Sequence, residues 1–233
     1  MRILLWLRND LRLHDHEPLH RALENKAEVI PLYCFDPRHF GETSFGFAKT
    51  GSYRAQFLLE TIADLRQSYQ AKGSNLVIRQ GKPEDEIPTL VKALNIDAVY
   101  WHEEVTAEET AVEQGVEKAL NTLKVASEVY WGATLFHPDD LPFELKKLPE
   151  VFTQFRKAAE KESQIFPPFP VPDKLPVLPA DIQPGELPKL SDLGLEEQSI
   201  DPKGVLLFKG GETAALERLQ HYFWDADRLQ VYK

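Results

Sequence analysis

The chain has one cysteine, Cys34, among 233 residues. A disulfide framework, a Cys-x-x-Cys redox pair and a cysteine-built zinc site are therefore excluded within one chain, and a reducing compartment such as the cytoplasm fits. Cys34 lies in the apolar run VIPLYCF, where a buried, inert thiol is expected. No apolar run approaches the roughly 20 residues that cross a bilayer, so no membrane partner is expected. The opening MRILLWLRNDLRL looks briefly like a signal peptide, but Arg8, Asp10 and Arg12 interrupt it and no small-residue cleavage site follows. It reads as a first β-strand. Excess positive charge is lacking as well: the net charge is −10, the wrong sign for a domain that grips DNA by itself, so a main DNA groove is expected elsewhere. There is no G-x-x-x-x-G-K-S/T phosphate loop, no G-x-G-x-x-G after the first strand and no G-x-S-x-G elbow. His102, Glu103 and Glu104 adjoin in the chain, but their spacing matches no standard metal site, and no metal ligand is assigned.

What is present is an alternation of periods. Short apolar runs at 3–7, 29–35, 75–79, 97–102 and 126–130 read as strands. Helical patterns fall between them at 18–25, 52–71, 82–94 and 106–123. Gly73 is a plausible helix stop, Pro83 suits a first helical turn, and Pro88 argues against a regular third helix. Thr106 and Glu109 have the capping-box spacing. Five strands alternating with helices predict an α/β fold, a Rossmann-like doubly wound parallel sheet. Such sheets bind ligands beyond the carboxyl ends of their strands, which points to the loops at 8–16, 36–48 and 103–109. A helix is expected over 149–161. Then Pro167, Pro168, Pro170, Pro172, Pro176 and Pro179 exclude regular structure and predict an extended connector wrapping a surface. A last helix is expected from Gly211 or Glu212 to Phe223. The chain divides into an α/β domain at 1–133, a connector at 134–203 and the start of a further domain at 204–233.

Several segments are more specific than periodicity. LLWLRNDLRLHDHEPL carries Trp6, Arg8, Asp10, Leu11, Arg12 and Asp15 in the pattern W-x-R-x-D-L-R-x-x-D. YCFDPRHF, TGSYRAQFLLE, WGATLFHPDDLPF, FTQFRK, FKGGETAALERL and YFWDADRLQVYK follow in order. Together they resemble the cryptochrome/photolyase family, and the WGATLFHPDDLPF and FTQFRK stretches resemble its cryptochrome-DASH branch. The resemblance runs over nearly the whole chain and is weakest in the proline-rich connector.

The resemblance implies an N-terminal α/β antenna domain of a two-part flavoprotein. Such a domain typically holds 5,10-methenyltetrahydrofolate, while a C-terminal helical domain binds FAD. The parent protein would repair cyclobutane pyrimidine dimers, preferentially in single-stranded DNA, by light-driven electron transfer from reduced FAD, where the lesion leaves the stack cheaply. A blue-light signalling cryptochrome and a stand-alone folate- or nucleotide-binding module are the alternatives. Carried over by position, Glu109, with Glu108 beside it, would accept hydrogen bonds from the pterin edge. The competing role for Glu109 is the helix cap. His39 and Phe40 would flank the ring, or Phe40 would belong to the core. Tyr232 matches the first FAD-contacting tyrosine, and the remaining FAD contacts would come from the C-terminal helical domain. The chain by itself is accordingly expected neither to repair DNA nor to hold FAD tightly. The charges at Arg8, Asp10, Arg12 and Asp15 would form structural ion pairs that fix their loop, or face the flavin side. Trp224 is expected to pack the last helix. Gln154, Phe155 and Arg156 would face the helical domain, leaving Phe152, Phe155, Phe166 and Phe169 exposed without it.

Overall fold

The computed structural model describes residues 1–197, 208–226 and 228–231. Five parallel strands form one sheet in the order β3-β2-β1-β4-β5. They are β1 (Arg2–Leu7), β2 (Glu28–Phe35), β3 (Val77–Gln80), β4 (Ala98–His102) and β5 (Ala126–Tyr130). Between them lie α1 (Glu17–Glu24), α2 (Ser52–Ala71), α3 (Pro83–Leu94) and α4 (Ala107–Leu123). The doubly wound α/β architecture is the one the alternation predicts. Helix α3 runs unbroken across Pro88. The loss there is one donor near the helix start, and Ile87, Leu90 and Val91 pin the next turn to the sheet.

Strand alternation builds two cores, because successive side chains point to opposite faces. On one face Ile3, Leu5, Leu7, Val29, Tyr33 and Phe35 meet α1 and α2 through Leu19, Ala22, Leu59, Ile62, Leu65 and Tyr69. On the other, Leu4, Trp6, Ile30, Leu32, Val99 and Trp101 meet α3 and α4 through Ile87, Leu90, Val91, Val116 and Leu120. Cys34 is buried in this second core, and burial pushes its thiol pKa up, so the thiolate is suppressed.

The proline-rich connector does wrap a surface. Leu175 N donates to Lys72 O at 2.9 Å, and Ile78 N donates to Pro184 O at 2.7 Å, which covers the exposed edge of β3. The Arg66 guanidinium donates to Leu76 O at 3.1 Å and to Gly185 O at 2.8 Å. Gly185 has φ +77°, and a Cβ there would lie 2.4 Å from Ile78 O. The close approach of connector to strand needs a glycine. Leu175, Ile182 and Leu190 plug the connector into the two cores.

Past the sheet, α5 (Phe152–Glu162) and α6 (Glu212–Gln220) form, the latter continued by a π-turn over His221–Asp225. The α-helix therefore ends earlier than Phe223. Trp224 does not pack it closely: the residue is 64% exposed, with its ring 5.6 Å from that of the neighbouring Phe223. Phe152 is 71% exposed. Phe166 is also exposed, and Phe155 and Phe169 are half-buried, so none of the four aromatic residues named above is buried. Among the described residues no helix is long and apolar enough to cross a membrane.

Candidate functional site

The strand order fixes where a ligand can sit. The chain runs outward from β1 through β2 to β3, then crosses back to β4 and β5. The crevice opens at the carboxyl ends of β1 and β4, where the winding reverses. A cavity of about 1160 Å³ lies there. It is lined by Trp6, Arg8, Asn9 and Arg12 from β1 and its loop, and by Tyr33, Asp36, Arg38, His39 and Phe40 from β2 and its loop. Glu108, Glu109 and Val112 of α4 and Phe57, Leu58 and Thr61 of α2 close two sides. Gly211, Glu212, Ala215 and Leu216 of α6 close a third.

Helix α6 reaches the cavity by specific contacts. Gly210 N donates to Glu60 Oε2 at 2.8 Å and Thr213 N to Asp64 Oδ2 at 3.1 Å, so two α2 carboxylates hold the start of α6. A Cβ on Gly211, at φ +111°, would meet Asp64 Cβ at 2.6 Å. Glu212 reaches back to accept from Leu13 N at 2.8 Å and His14 N at 3.0 Å.

Glu108, Glu109, His39 and Phe40 all line this one cavity, although they come from the first turn of α4 and the loop after β2, far apart in sequence. Glu108 is exposed and ion-paired with Lys49, which lowers its carboxyl pKa. Desolvation pushes His39 below its ordinary value, which makes it a neutral imidazole at physiological pH. Phe40 packs against the first core, 6.3 Å from the Phe35 ring, and also lines the cavity. Burial by itself would raise Asp36, but the Arg38 guanidinium holds its carboxyl below the usual range. Arg38 in turn donates to Glu84 at 2.7 Å.

Glu109 is the informative member. Thr106 stands at the N-cap of α4, yet its side chain makes no capping bond. The capping box is not formed. Glu109 Oε2 is instead buried with no hydrogen-bond partner, a costly state for a carboxylate oxygen unless a ligand donor completes it. Tyr232, expected at FAD, lies outside the described residues.

The charged β1 loop is held by ion pairs and hydrogen bonds, with partners both inside the loop and outside it. Arg8 pairs with Glu113 of α4. Asp10 Oδ1 accepts from Arg8 N at 2.7 Å, while its Oδ2 lies 2.7 Å from His102 Nδ1 and 2.9 Å from His16 Nε2. Asp15 clasps the connector: its N donates to Phe169 O at 3.0 Å and its Oδ1 accepts from Phe169 N at 3.1 Å. Arg12 donates to the main-chain oxygens of His14 and Asp15, both at 3.0 Å.

The Asp10–His16–His102 cluster escapes a reading of the sequence alone. Its three ligand-type atoms lie within 4.8 Å of one another, and all three residues are buried. Leu19 N donates to His16 Nδ1 at 3.2 Å, which leaves the His16 proton on Nε2, facing Asp10. His16 Nε2 lies close to Asp10 without a well-aligned hydrogen bond to it. Burial by itself would raise Asp10, but the two imidazoles hold its carboxyl well below the usual range. The available signal was topological: Asp10 follows β1 and His102 ends β4, and those strands are neighbours.

A family model described as DNA photolyase matches residues 3–173. A cryptochrome DASH of Gloeobacter violaceus is 55% identical over 231 residues, covering 99% of this chain and 46% of that protein. A blue-light photoreceptor of Arabidopsis thaliana is 43% identical, with 95% of this chain and 50% of that protein covered. The crystal structure of a Synechocystis cryptochrome matches with a TM-score of 0.94 at 45% identity, covering 99% of this chain and 48% of that one. The chain thus spans about half the length of the curated relatives it matches.

Proposed function

Because the chain belongs to the DNA photolyase family, we propose that it is the light-harvesting domain of a cryptochrome-DASH-like flavoprotein, with 5,10-methenyltetrahydrofolate in its cavity. One observation carries the reading. Four side chains, from the β2 loop and the first turn of α4, converge on one cavity, and among the described residues the buried Glu109 Oε2 has no hydrogen-bond partner. The donor set suits a pterin. A carboxylate can accept from an amino-pyrimidine edge, a neutral His39 offers a further polar contact, and Phe40, Trp6 and Tyr33 offer aromatic surface. Bound there, the pigment would absorb light and pass excitation on, while this chain's residues bind it, orient it and exclude water.

The fuller proposal concerns the whole protein. There the exposed faces of α5 and α6 abut a helical FAD-binding domain, and the protein splits cyclobutane pyrimidine dimers in single-stranded DNA by electron transfer from reduced FAD. The single cysteine supports a cytoplasmic setting. Signalling is the second reading, favoured by the 43% identity to a blue-light photoreceptor. Titrating methenyltetrahydrofolate into the protein and following quenching of tryptophan emission tests the pigment site, because Trp6 lines the cavity. Saturable binding is expected, and no binding at high micromolar pigment would overturn the antenna reading. Light-dependent dimer cleavage by the full-length protein separates repair from signalling.

A further inference from the structure

The geometry points to Arg8 as a positioning residue for the pigment site: it clamps the first turn of α4 to the end of β1 and so holds Glu109 in its cavity-facing pose. The inference rests on the antenna reading for its ligand, but the clamp itself belongs to the empty protein. Arg8 Nη1 pairs with the Glu113 carboxylate, and Arg8 Nη2 donates to the main-chain oxygen of Glu109 at 3.2 Å. The guanidinium carbon sits 4.6 Å from the centre of the Trp6 ring, which restricts its approach from below. Arg8 N is anchored on Asp10, which the two histidines hold in place. Both partners are nearly buried, with side chains 8% exposed for Arg8 and 12% for Glu113.

The planar, forked guanidinium is what permits this. One nitrogen takes the carboxylate while the other takes a carbonyl one turn earlier, so the helix is gripped at two points. Glu113 is itself braced, accepting from Glu104 N at 2.8 Å, which ties the loop after β4 into the same clamp. Thr106 makes no side-chain cap bond at this end of the helix, and Arg8, a pure donor, holds the helix through a carbonyl and a carboxylate rather than through its free N–H groups. Glu109, so held, lines the cavity.

A plainer role for Arg8 is separable from this one. If Arg8 serves only to neutralise Glu113, then the double variant Arg8→Gln/Glu113→Gln removes both charges and should restore every property. The clamp predicts a split. Arg8→Gln alone lowers the melting temperature. The double variant recovers most of that loss, yet binds methenyltetrahydrofolate at least tenfold more weakly than wild type. Arg8→Lys keeps the charge but has no fork, and is expected to fall between wild type and the double variant in affinity. In the ligand-free double variant, amides of Thr110 to Glu113 exchange at least tenfold faster than in wild type, while those of α3 are unchanged. Wild-type affinity together with wild-type exchange in the double variant would overturn the clamp and leave the antenna reading standing. Faster exchange in a protein whose wild type binds no pterin would uphold the clamp and sink the antenna reading.

Discussion

Trp101 and Trp224 are the same residue in two differently built parts of the molecule. Trp101 is fully buried, its ring 5.7 Å from that of Trp6, and sits between the sheet and α4. Trp224 stands in solvent beyond α6. The contrast extends to their surroundings. Within the sheet, every strand but the edge strand β5 is lined on both faces, and the two cores are continuous. Beyond it, Phe143, Phe152 and Phe155 stack on one another rather than on a core. Beyond the connector, α6 is held by point contacts: Glu60 and Asp64 on its start, and its own Glu212 on the β1 loop. Apolar composition alone therefore does not decide burial. A region sheds its aromatic surface from water only where topology brings a second layer against it.

The sharpest way to break the comparison is at the joint between the two regions. Asp10→Ala leaves Arg8 N and two buried histidines without their carboxylate partner, and is expected to lower stability by about 3–5 kcal/mol in urea unfolding. Because the folded Asp10 carboxyl is depressed, its contribution is fully present above the unfolded value of about 3.9. It is lost as pH falls through the lower folded value, so the wild-type protein should show an acid-dependent loss of stability that Asp10→Ala lacks. A pH-independent difference between the two would contradict this. Leu175→Ala tests whether the connector belongs to the sheet's core, and is expected to cost about 2–5 kcal/mol by the same measurement, as a core leucine does. A loss near zero would move the connector to the loosely attached side of the comparison.

A change at the cavity should touch binding and spare stability. Glu109→Gln removes the charge from the unpartnered acceptor, and methenyltetrahydrofolate affinity by fluorescence titration should fall tenfold to a hundredfold, or about 1.5–3 kcal/mol. The smallest effect is expected at Phe152→Ala, within about 0.5 kcal/mol in this chain, since the ring has little to lose. A large destabilisation there would show that the α5 aromatics form a core after all.

Most of the fold was legible because its signal is local. The run at 126–130, the long helix at 52–71 and the stop at Gly73 each need only their own neighbours to be read, and each forms at or within a residue of its expected bounds. The cavity was half legible: knowing that ligands gather at strand ends named the loops of Glu108, Glu109, His39 and Phe40. The choice between cap and cavity at Glu109 was not legible, since Thr106 and Glu109 carry the same spacing either way. The π-turn after α6 and the exposure of Trp224 were likewise invisible, because helix periodicity says which residues share a face and not whether anything lies opposite it.

The sequence by itself determined the alternation of strands and helices, and with it the parallel doubly wound sheet, because period and turn chemistry are written residue by residue. It also carried the family motifs. Tertiary structure alone decided which charges meet: Arg8 with Glu113, Lys49 with Glu108, Asp10 with two histidines. All of these but Asp10 with His16 join segments separated by dozens of residues, and their energy depends on burial and distance, neither of which exists until the strands have taken their order.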